Sequence, residues 1–395
     1  MINFNNMISG SQKSFPKLIL MLIVSACFNS AYAQQHEGFS AVIGANIGHD
    51  DNIFRSSEEL SDQFLQLAPA LKLTELYESV QLDAQYKGNY RQYNDLSDLS
   101  YAEHEASLKG QYKHTAKFTS ELTLGYSNKI EEPGVTNAAT SVLDEFTEVS
   151  SSSLKAAGTY GTQKSIGQIR VAYDLDKRRY DNNSQSFRDY DSNRLTGTFF
   201  YRLAPKTRLL LEASLDDLSY ENTVFFDLSA SQNRYLMGVE WTATAKSTGI
   251  FKVGYQDINY DNEIYDDISG LAYYLDMVWK PNTYSSIKLG ADRSTRESAV
   301  EGLPSFISES YSIGLDHKFS AKSKISISYR YRKDDLGSTL SRKDSLSGIE
   351  AKYTYSIKRN LEVYADYTNK KRSSEFVLFD YDSNIYMLGI DWLID

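Results

Sequence analysis

The most regular hydrophobic pattern in the chain is strict alternation, and residues 324–334 show it best. One set of alternate positions holds isoleucine and then tyrosine, ending at Tyr331, while serines and arginines hold the other set. Because successive side chains of a β-strand point to opposite faces, this segment predicts a strand with one apolar and one polar face. Tyrosine at the end of the apolar row suits a boundary between hydrocarbon and water.

The same pattern recurs along most of the chain. It is clearest in the second half, and Pro69 weakens only one segment, because proline cannot donate a hydrogen bond to a neighbouring strand. The alternation predicts strands over residues 38–48, 64–73, 80–93, 101–113, 118–127, 151–160, 166–175, 194–203, 208–218, 235–241, 251–258, 271–279, 287–293, 311–319, 324–334, 346–355, 361–367 and 385–394.

Two kinds of connection alternate between these strands. Short turns, such as 204–207 and 320–323, come once per pair of strands, and longer loops rich in Asp, Asn, Ser and Tyr, such as 176–190 and 259–269, lie between them. Bacterial outer-membrane barrels have this arrangement, and a closed sheet pairs every backbone group in lipid. The predicted fold is therefore all-β: a transmembrane antiparallel up-and-down β-barrel of about 18 strands.

Soluble repeat folds are the main structural alternative. A β-propeller or a β-solenoid also repeats short strands, but a propeller blade has four strands in each period. Each period here has two strands, and no glycine or tryptophan signature of a blade is found. The 30 tyrosines, many on the apolar faces, also do not suit a soluble sandwich. The barrel is the favoured interpretation.

Residues 1–33 are typical of an export signal. Lys13 and Lys17 precede a short apolar stretch, and Ala-Tyr-Ala at the end of the segment forms a small-x-small cleavage site. We therefore predict a signal peptide over 1–33 and an outer-membrane β-barrel over 34–395. This organisation places the mature protein in the outer membrane of a bacterial cell.

Cysteine content and charge exclude several classes of function. Cys27 is the single cysteine and lies within the predicted signal, so cleavage leaves neither a disulfide nor a thiol nucleophile. An alternative interpretation makes residues 24–27 a lipoprotein motif, with Cys27 as a lipid-modified N-terminus. The net charge of −10 argues against nucleic acid as a partner.

The polar faces of the strands are expected to line the barrel interior. Their charges either set the selectivity of a hydrated path or pair across neighbouring strands and hold the barrel together. A barrel of this size can enclose an aqueous channel, and the loop 128–149 is long enough to fold inward and constrict it. The candidate lumen-lining residues are Arg170, Arg202, Glu212, Lys252, Lys288, Asp292, Arg330, Arg332, Glu350 and Lys352.

The sequence carries little that predicts catalysis or cofactor binding. The five histidines are scattered, and neither a nucleophile motif nor a phosphate-binding loop occurs. We expect no enzymatic activity, no cofactor and no metal site. The acid pair Asp50–Asp51 could bind calcium, although the 12-residue calcium loop is missing. Loop aromatics such as Tyr180 and Tyr190 either stack on sugar rings or pack the loops against one another.

One string near the N-terminus resembles a known family. Ala-Asn-Ile-Gly-His-Asp-Asp-Asn-Ile-Phe-Arg, residues 45–55, is similar to the first strand and loop of the putative β-barrel porin 2 family, with His49 where an aromatic is common. Related strings occur at 380–386 and 190–193, and the resemblance covers about 38–395. It implies an outer-membrane barrel that often accompanies exopolysaccharide or capsule assembly systems, with no catalytic residues to carry over.

Three functional hypotheses follow. The leading one is a hydrophilic conduit for export of an exopolysaccharide or capsular polysaccharide, surrounded by outer-membrane lipid and supplied by export components of the periplasm and inner membrane. The second is a general diffusion porin for small hydrophilic solutes. The third is a non-transporting structural or adhesive barrel whose loops form the binding surface.

Overall fold

The chain folds into one closed antiparallel β-sheet. The computed structural model describes residues 37–138, 145–221, 227–244, 246–300, 303–337 and 342–394, so the predicted export signal with Cys27 lies outside the described residues. Eighteen strands follow one another around the ring, and the last pairs with the first. The predicted 18-stranded up-and-down barrel is therefore confirmed.

The strand bounds follow the chain in order. The strands are β1 (Gly38–Asp50), β2 (Asp62–Leu76), β3 (Val80–Tyr93), β4 (Tyr101–Lys113), β5 (Phe118–Ile130), β6 (Glu148–Tyr160), β7 (Gly167–Tyr180), β8 (Tyr190–Ala204), β9 (Thr207–Tyr220), β10 (Ala230–Thr244), β11 (Ser247–Tyr260), β12 (Ile268–Trp279), β13 (Ser285–Glu297), β14 (Ser305–Lys318), β15 (Ser323–Asp335), β16 (Lys343–Lys358), β17 (Leu361–Ser374) and β18 (Tyr381–Ile394). Single 3₁₀ turns lie in three of the long loops. No helix in the described part of the chain is long and apolar enough to cross a membrane.

Most strands extend further toward the long loops than the alternation predicts. The tenth predicted strand, 235–241, is observed as Ala230–Thr244, and the seventh, 166–175, as Gly167–Tyr180. The added residues are largely polar, because the ladder continues above the apolar band where outward side chains meet water. Part of the predicted loop 176–190 is therefore strand.

The two faces of the sheet differ as the alternation predicts. Met237 and Leu388 are each 61% exposed on the outside of the wall, with apolar neighbours at every second position. The inner face is identified by contacts that join distant strands: the Tyr180 hydroxyl on β7 donates a hydrogen bond to Glu297 on β13, at 3.2 Å. The apolar face of the sheet therefore points outward, and the charged face points into the barrel.

Aromatic residues collect at the short-turn edge of the outer face. All three tryptophans lie there, near the ends of β10, β12 and β18, and two histidines join them. The His114 ring lies 4.5 Å from that of Tyr112, and the His317 ring lies 4.8 Å from that of Phe319, measured between centroids. Such a belt is typical of the interface between lipid and water.

The strings that carry the family resemblance meet where the barrel closes. Asn384 donates a backbone hydrogen bond to Asp51 at 2.6 Å and a side-chain hydrogen bond to the same carboxylate at 2.9 Å. Asn52, fully buried, donates to the carbonyl oxygen of Asp382 at 3.1 Å. The Asp51 carboxylate, one of the calcium-ligand candidates, is thus used to join the two ends of the chain.

The hydrogen-bonded ladder between β12 and β13 is the shortest in the ring. It runs from the pair Tyr273–Arg293 to the pair Trp279–Ile287 and stops before the loop-side ends of both strands. Arg293 replaces part of the missing ladder, because its guanidinium donates a hydrogen bond to the Leu271 carbonyl oxygen. The wall is therefore least continuous at this position.

Beyond that point the end of the β13–β14 hairpin leans into the barrel. Gln256 on β11 donates a hydrogen bond to the Thr295 hydroxyl at 3.0 Å, and Glu297 reaches Tyr180 on β7. Neither β7 nor β11 pairs with β13 in the sheet. The hairpin end consequently occupies part of the loop-side mouth.

We predict that Asn384→Ala weakens the closure of the barrel. The substitution keeps the backbone hydrogen bond to Asp51 but removes the side-chain one, and this loss should destabilise the fold by about 1–3 kcal/mol. The temperature at which the folded band converts to the unfolded band in SDS gel electrophoresis measures this. Asn193→Ala is the matched control, because Asn193 ends the same Tyr-Asp-Ser-Asn string but makes no side-chain hydrogen bond within the described ranges. Equal shifts in the two variants would contradict the assignment.

Candidate functional site

The predicted lumen-lining residues all lie on the inner face by strand register, and most of them are paired there. Their ion pairs are Arg170–Glu121 at 2.8 Å, Lys252–Glu212 at 2.7 Å, Lys288–Asp316 at 2.8 Å, Arg332–Asp334 at 2.9 Å and Lys352–Asp391 at 3.9 Å. Asp292 accepts a hydrogen bond from the Ser294 hydroxyl at 2.8 Å. For Arg202, Arg330 and Glu350 the described residues provide no ion pair. A role of this set in selectivity stays a prediction.

In the loop that joins β5 to β6, the described residues 131–138 turn inward at the mouth. Glu131, at its start, is bound by both terminal nitrogens of Arg188, at 2.8 and 3.1 Å. Arg188 belongs to the 3₁₀ turn Ser186–Arg188 in the loop between β7 and β8. The inward fold expected for 128–149 is thus found in the described part of this loop, whereas 139–144 lie outside the described residues.

Arg188 is the central residue of the mouth and is fully buried. Its Nη2 also donates to the Asn137 carbonyl oxygen at 2.9 Å, its Nε to Glu297 at 3.3 Å, and its guanidinium lies 4.0 Å from the ring centroid of Tyr180. Burial lowers the pKa of Arg188, but the bonded Glu131 and the charge of Glu297 raise it by more, so the side chain stays charged. One side chain therefore joins two loops to the β13 hairpin.

A second set of contacts ties the same loop to β17. Glu132 pairs with Lys370, and Arg372 donates a hydrogen bond to the Gly134 carbonyl oxygen at 3.0 Å. Gly134 has a φ of +74° and stands so close to Arg55 that a side chain there would collide with it. Because β17 lies far from β5 around the ring, these contacts carry the loop across the bore.

Two apolar clusters fill other parts of the mouth. One is formed by Ile53, Phe64, Tyr93, Leu99, Phe146 and Ile385, from three loops and the inner face of β2, β3 and β18. The other is formed by Leu303, Phe306 and Leu336, from the β13–β14 hairpin and the loop after β15. Burial of such side chains stabilises the loops in their inward position.

One cavity lies between the inward-turning loop and the wall. A cavity of about 380 Å³ remains beside residues 131–137, and we call it the arginine cavity. Its charged lining residues are Lys129, Glu131, Glu132, Arg178, Arg296 and Arg332. Within the described ranges no group of three or more His, Cys, Asp or Glu residues is arranged to hold a metal ion.

Sequence reasoning found one arginine of this cavity and missed two. Arg332 lies inside a predicted strand, whereas Arg178 and Arg296 lie three residues beyond the predicted ends at 175 and 293. Both share the inner face with the acids four residues before them, Asp174 and Asp292. Extending the alternation past the last apolar residue would have found them.

Comparison with known proteins gives a family match. A family model described as putative beta-barrel porin 2 matches residues 40–392. The comparison with curated proteins gives no significant match.

Several solved structures are similar in fold. The outer membrane protein OpdK from Pseudomonas aeruginosa has 12% identity and a TM-score of 0.49, covering 90% of this chain and 99% of that chain. The siderophore receptor PirA from Acinetobacter baumannii has 8% identity and a TM-score of 0.44, with 92% and 81% covered. The FrpB iron transporter from Neisseria meningitidis (F3-3 variant) has 10% identity and a TM-score of 0.46, with 86% and 62% covered. At these identities no ligand is carried over.

We predict that Arg188→Met releases the crossing loop. The change leaves two carboxylates without their buried partner, which costs about 3–5 kcal/mol in comparable pairs. Hydrogen exchange in residues 131–138 should accelerate, and the conductance of the barrel in a planar bilayer should rise. The control is Arg179→Met, which removes the ion pair with Asp191 near the outer surface and should change neither quantity. Equal effects of the two substitutions would contradict the central role of Arg188.

We also predict that acid loosens the contact between the loop and β17. Burial raises the pKa of Glu132, but the charges of Lys370 and Arg55 and the hydrogen bond from Lys370 lower it by more, to below the usual 4.5. A carboxyl with a lowered pKa stabilises the fold above its usual pKa, and this contribution is lost as the pH falls through the folded value. Current fluctuations should therefore increase below about pH 4.5. The Glu132→Gln variant should show these current fluctuations already at neutral pH, and they should no longer depend on pH. If the variant keeps the acid-induced increase of the wild type, the assignment to Glu132 is wrong.

Proposed function

The chain belongs to the putative β-barrel porin 2 family, and on this basis we propose that it is a narrow, non-enzymatic channel through which small hydrophilic solutes diffuse across the bacterial outer membrane. The inner face of the barrel carries the charged side chains of the strands, and the inward loops with their apolar clusters narrow the loop-side mouth. Passage is passive, since the proposal requires no energy source within the barrel.

The observation that carries this proposal is the inward fold of loop 131–147. Its first residues are held from two sides: Arg188 binds Glu131, and Lys370 and Arg372 of β17 bind Glu132 and Gly134. In this proposal a loop held in this way restricts the size of a solute, and a cavity of about 380 Å³ lies beside it. The geometry therefore favours solutes of the size of single metabolites.

The polysaccharide-export hypothesis receives less support from this geometry. A growing polymer needs an opening that stays wide along its whole length, whereas here two loops and the β13–β14 hairpin contact one another across the mouth. Export would require the Arg188 and Lys370 contacts to break together.

Liposome swelling tests the proposed function. Purified barrel in liposomes should admit glucose quickly, because a single sugar is small enough for the opening, and should admit a tetrasaccharide slowly or not at all. Arg188→Met should raise the tetrasaccharide rate toward that of glucose, while Arg179→Met should leave both rates unchanged. Absence of glucose influx, together with loss of surface polysaccharide in a deletion strain, would overturn the proposal in favour of export.

A further inference from the structure

The arginine cavity brings together cations from strands that are not neighbours. Arg178 lies near the loop-side end of β7, Arg296 near that of β13 and Arg332 near that of β15, and all three line the same cavity. Arg330 lies two residues before Arg332 on the same inner face of β15. Since β7 and β13 are separated by five strands, only the closed barrel assembles this group.

Each of these guanidinium groups has a buried nitrogen without a hydrogen-bond partner. The atoms are Nε of Arg178, Nε of Arg296 and Nη2 of Arg332, and no described residue accepts a hydrogen bond from them. A buried donor without an acceptor costs free energy that proteins normally avoid. These three nitrogens are themselves enclosed by protein, so the cavity is lined by other atoms of the same three cationic side chains.

The acids that face the same cavity are already bound elsewhere. Glu131 accepts both terminal nitrogens of Arg188, and Glu132 pairs with Lys370. Arg332 keeps one acid, Asp334, which binds its Nε at 2.9 Å and leaves Nη2 free. No ion pair within the described ranges neutralises Arg178 or Arg296. The cavity therefore retains positive charge, although the chain as a whole carries −10.

The rest of the lining suits an oxygen-rich anion. Ser127, Ser151 and Asn137 add hydroxyl and amide groups to the arginine nitrogens. Guanidinium groups bind carboxylate, phosphate and sulfate through paired hydrogen bonds, and such bonds are stronger in a site of low dielectric. The volume of about 380 Å³ lies within the range of about 300–1,000 Å³ that small-molecule sites occupy.

We propose that the arginine cavity binds small oxyanions and gives the channel a preference for solutes that carry a carboxylate, phosphate or sulfate group. Arg178 and Arg296 supply the unpaired charge, and Arg332, positioned by Asp334, supplies a further donor. The inference rests on the proposed channel function for transport, but the binding site itself does not require that solutes pass.

Two measurements on the purified full barrel test this. Titration calorimetry in detergent with inorganic sulfate measures binding, and the reversal potential under a KCl gradient in a planar bilayer measures ion preference. Wild type should bind sulfate and prefer chloride over potassium. Arg178→Gln and Arg296→Gln should each weaken sulfate binding about tenfold, as expected for loss of one charge-assisted hydrogen bond. Both should also move the reversal potential toward that of potassium.

The matched control is Arg202→Gln. Arg202 lies on the inner face near the short-turn end of β8, has no ion pair within the described residues, and carries the same charge. It should leave sulfate affinity unchanged, so that a general effect of charge in the lumen is separated from the arginine cavity. Each variant is used only after it shows the wild-type folded band in SDS gel electrophoresis. If either Arg178→Gln or Arg296→Gln fails to fold, the remaining variant still tests the oxyanion site.

The outcomes separate the site from the channel. Conductance with no sulfate binding, or with equal effects of Arg202→Gln and Arg296→Gln, overturns the oxyanion site while the channel function stands. Sulfate binding that depends on Arg178 and Arg296, in a barrel that admits no solute, supports the site and overturns the channel function. Loss of both sulfate binding and chloride preference in both variants supports the two together.

Discussion

The structure depends on the pairing of every backbone amide in the membrane-spanning part of the wall. Hydrocarbon offers no water to an open N–H or C=O group, so a sheet that crosses a bilayer must close on itself. Here the closing contact is the ladder between β1 and β18, extended above its end by the bonds of Asn52 and Asn384. Once the ring is closed, alternation alone sends one set of side chains to lipid and the other to the interior.

The inner face, in contrast, holds many charged side chains close together, and their charges must be balanced. Most inner cations are matched with an acid one or two strands away, as in Lys252–Glu212 and Arg170–Glu121, and these pairs stabilise a wall that would otherwise repel itself. The mouth departs from this rule. Its acids bind Arg188 and Lys370, so the nearby Arg178 and Arg296 keep their charge. The distribution of partners, rather than the number of arginines, sets the character of the opening.

The alternation predicts the strands, their faces and the strand number, since these follow from local side-chain order. It does not predict where strands end, because the ladder continues through polar segments above the lipid; Arg178 and Arg296 lay just outside the predicted strands for this reason. The inward path of residues 131–138 depends on Arg188 and Lys370, which are distant in sequence and whose contacts no local pattern encodes. The lean of the β13–β14 hairpin likewise follows from a ladder that stops at Tyr273 and Arg293.

The interrupted ladder between β12 and β13 also bears on how the barrel responds to load. A closed sheet under tension opens at the strand pair with the fewest hydrogen bonds. The β12–β13 pair has the shortest ladder, and the Arg293 side chain adds only one hydrogen bond, to the Leu271 carbonyl oxygen. Heat or mechanical force should therefore separate β12 from β13 before it separates β1 from β18. The ring would then open into a single 18-stranded sheet with β12 and β13 at its edges, while β1 and β18 stay paired.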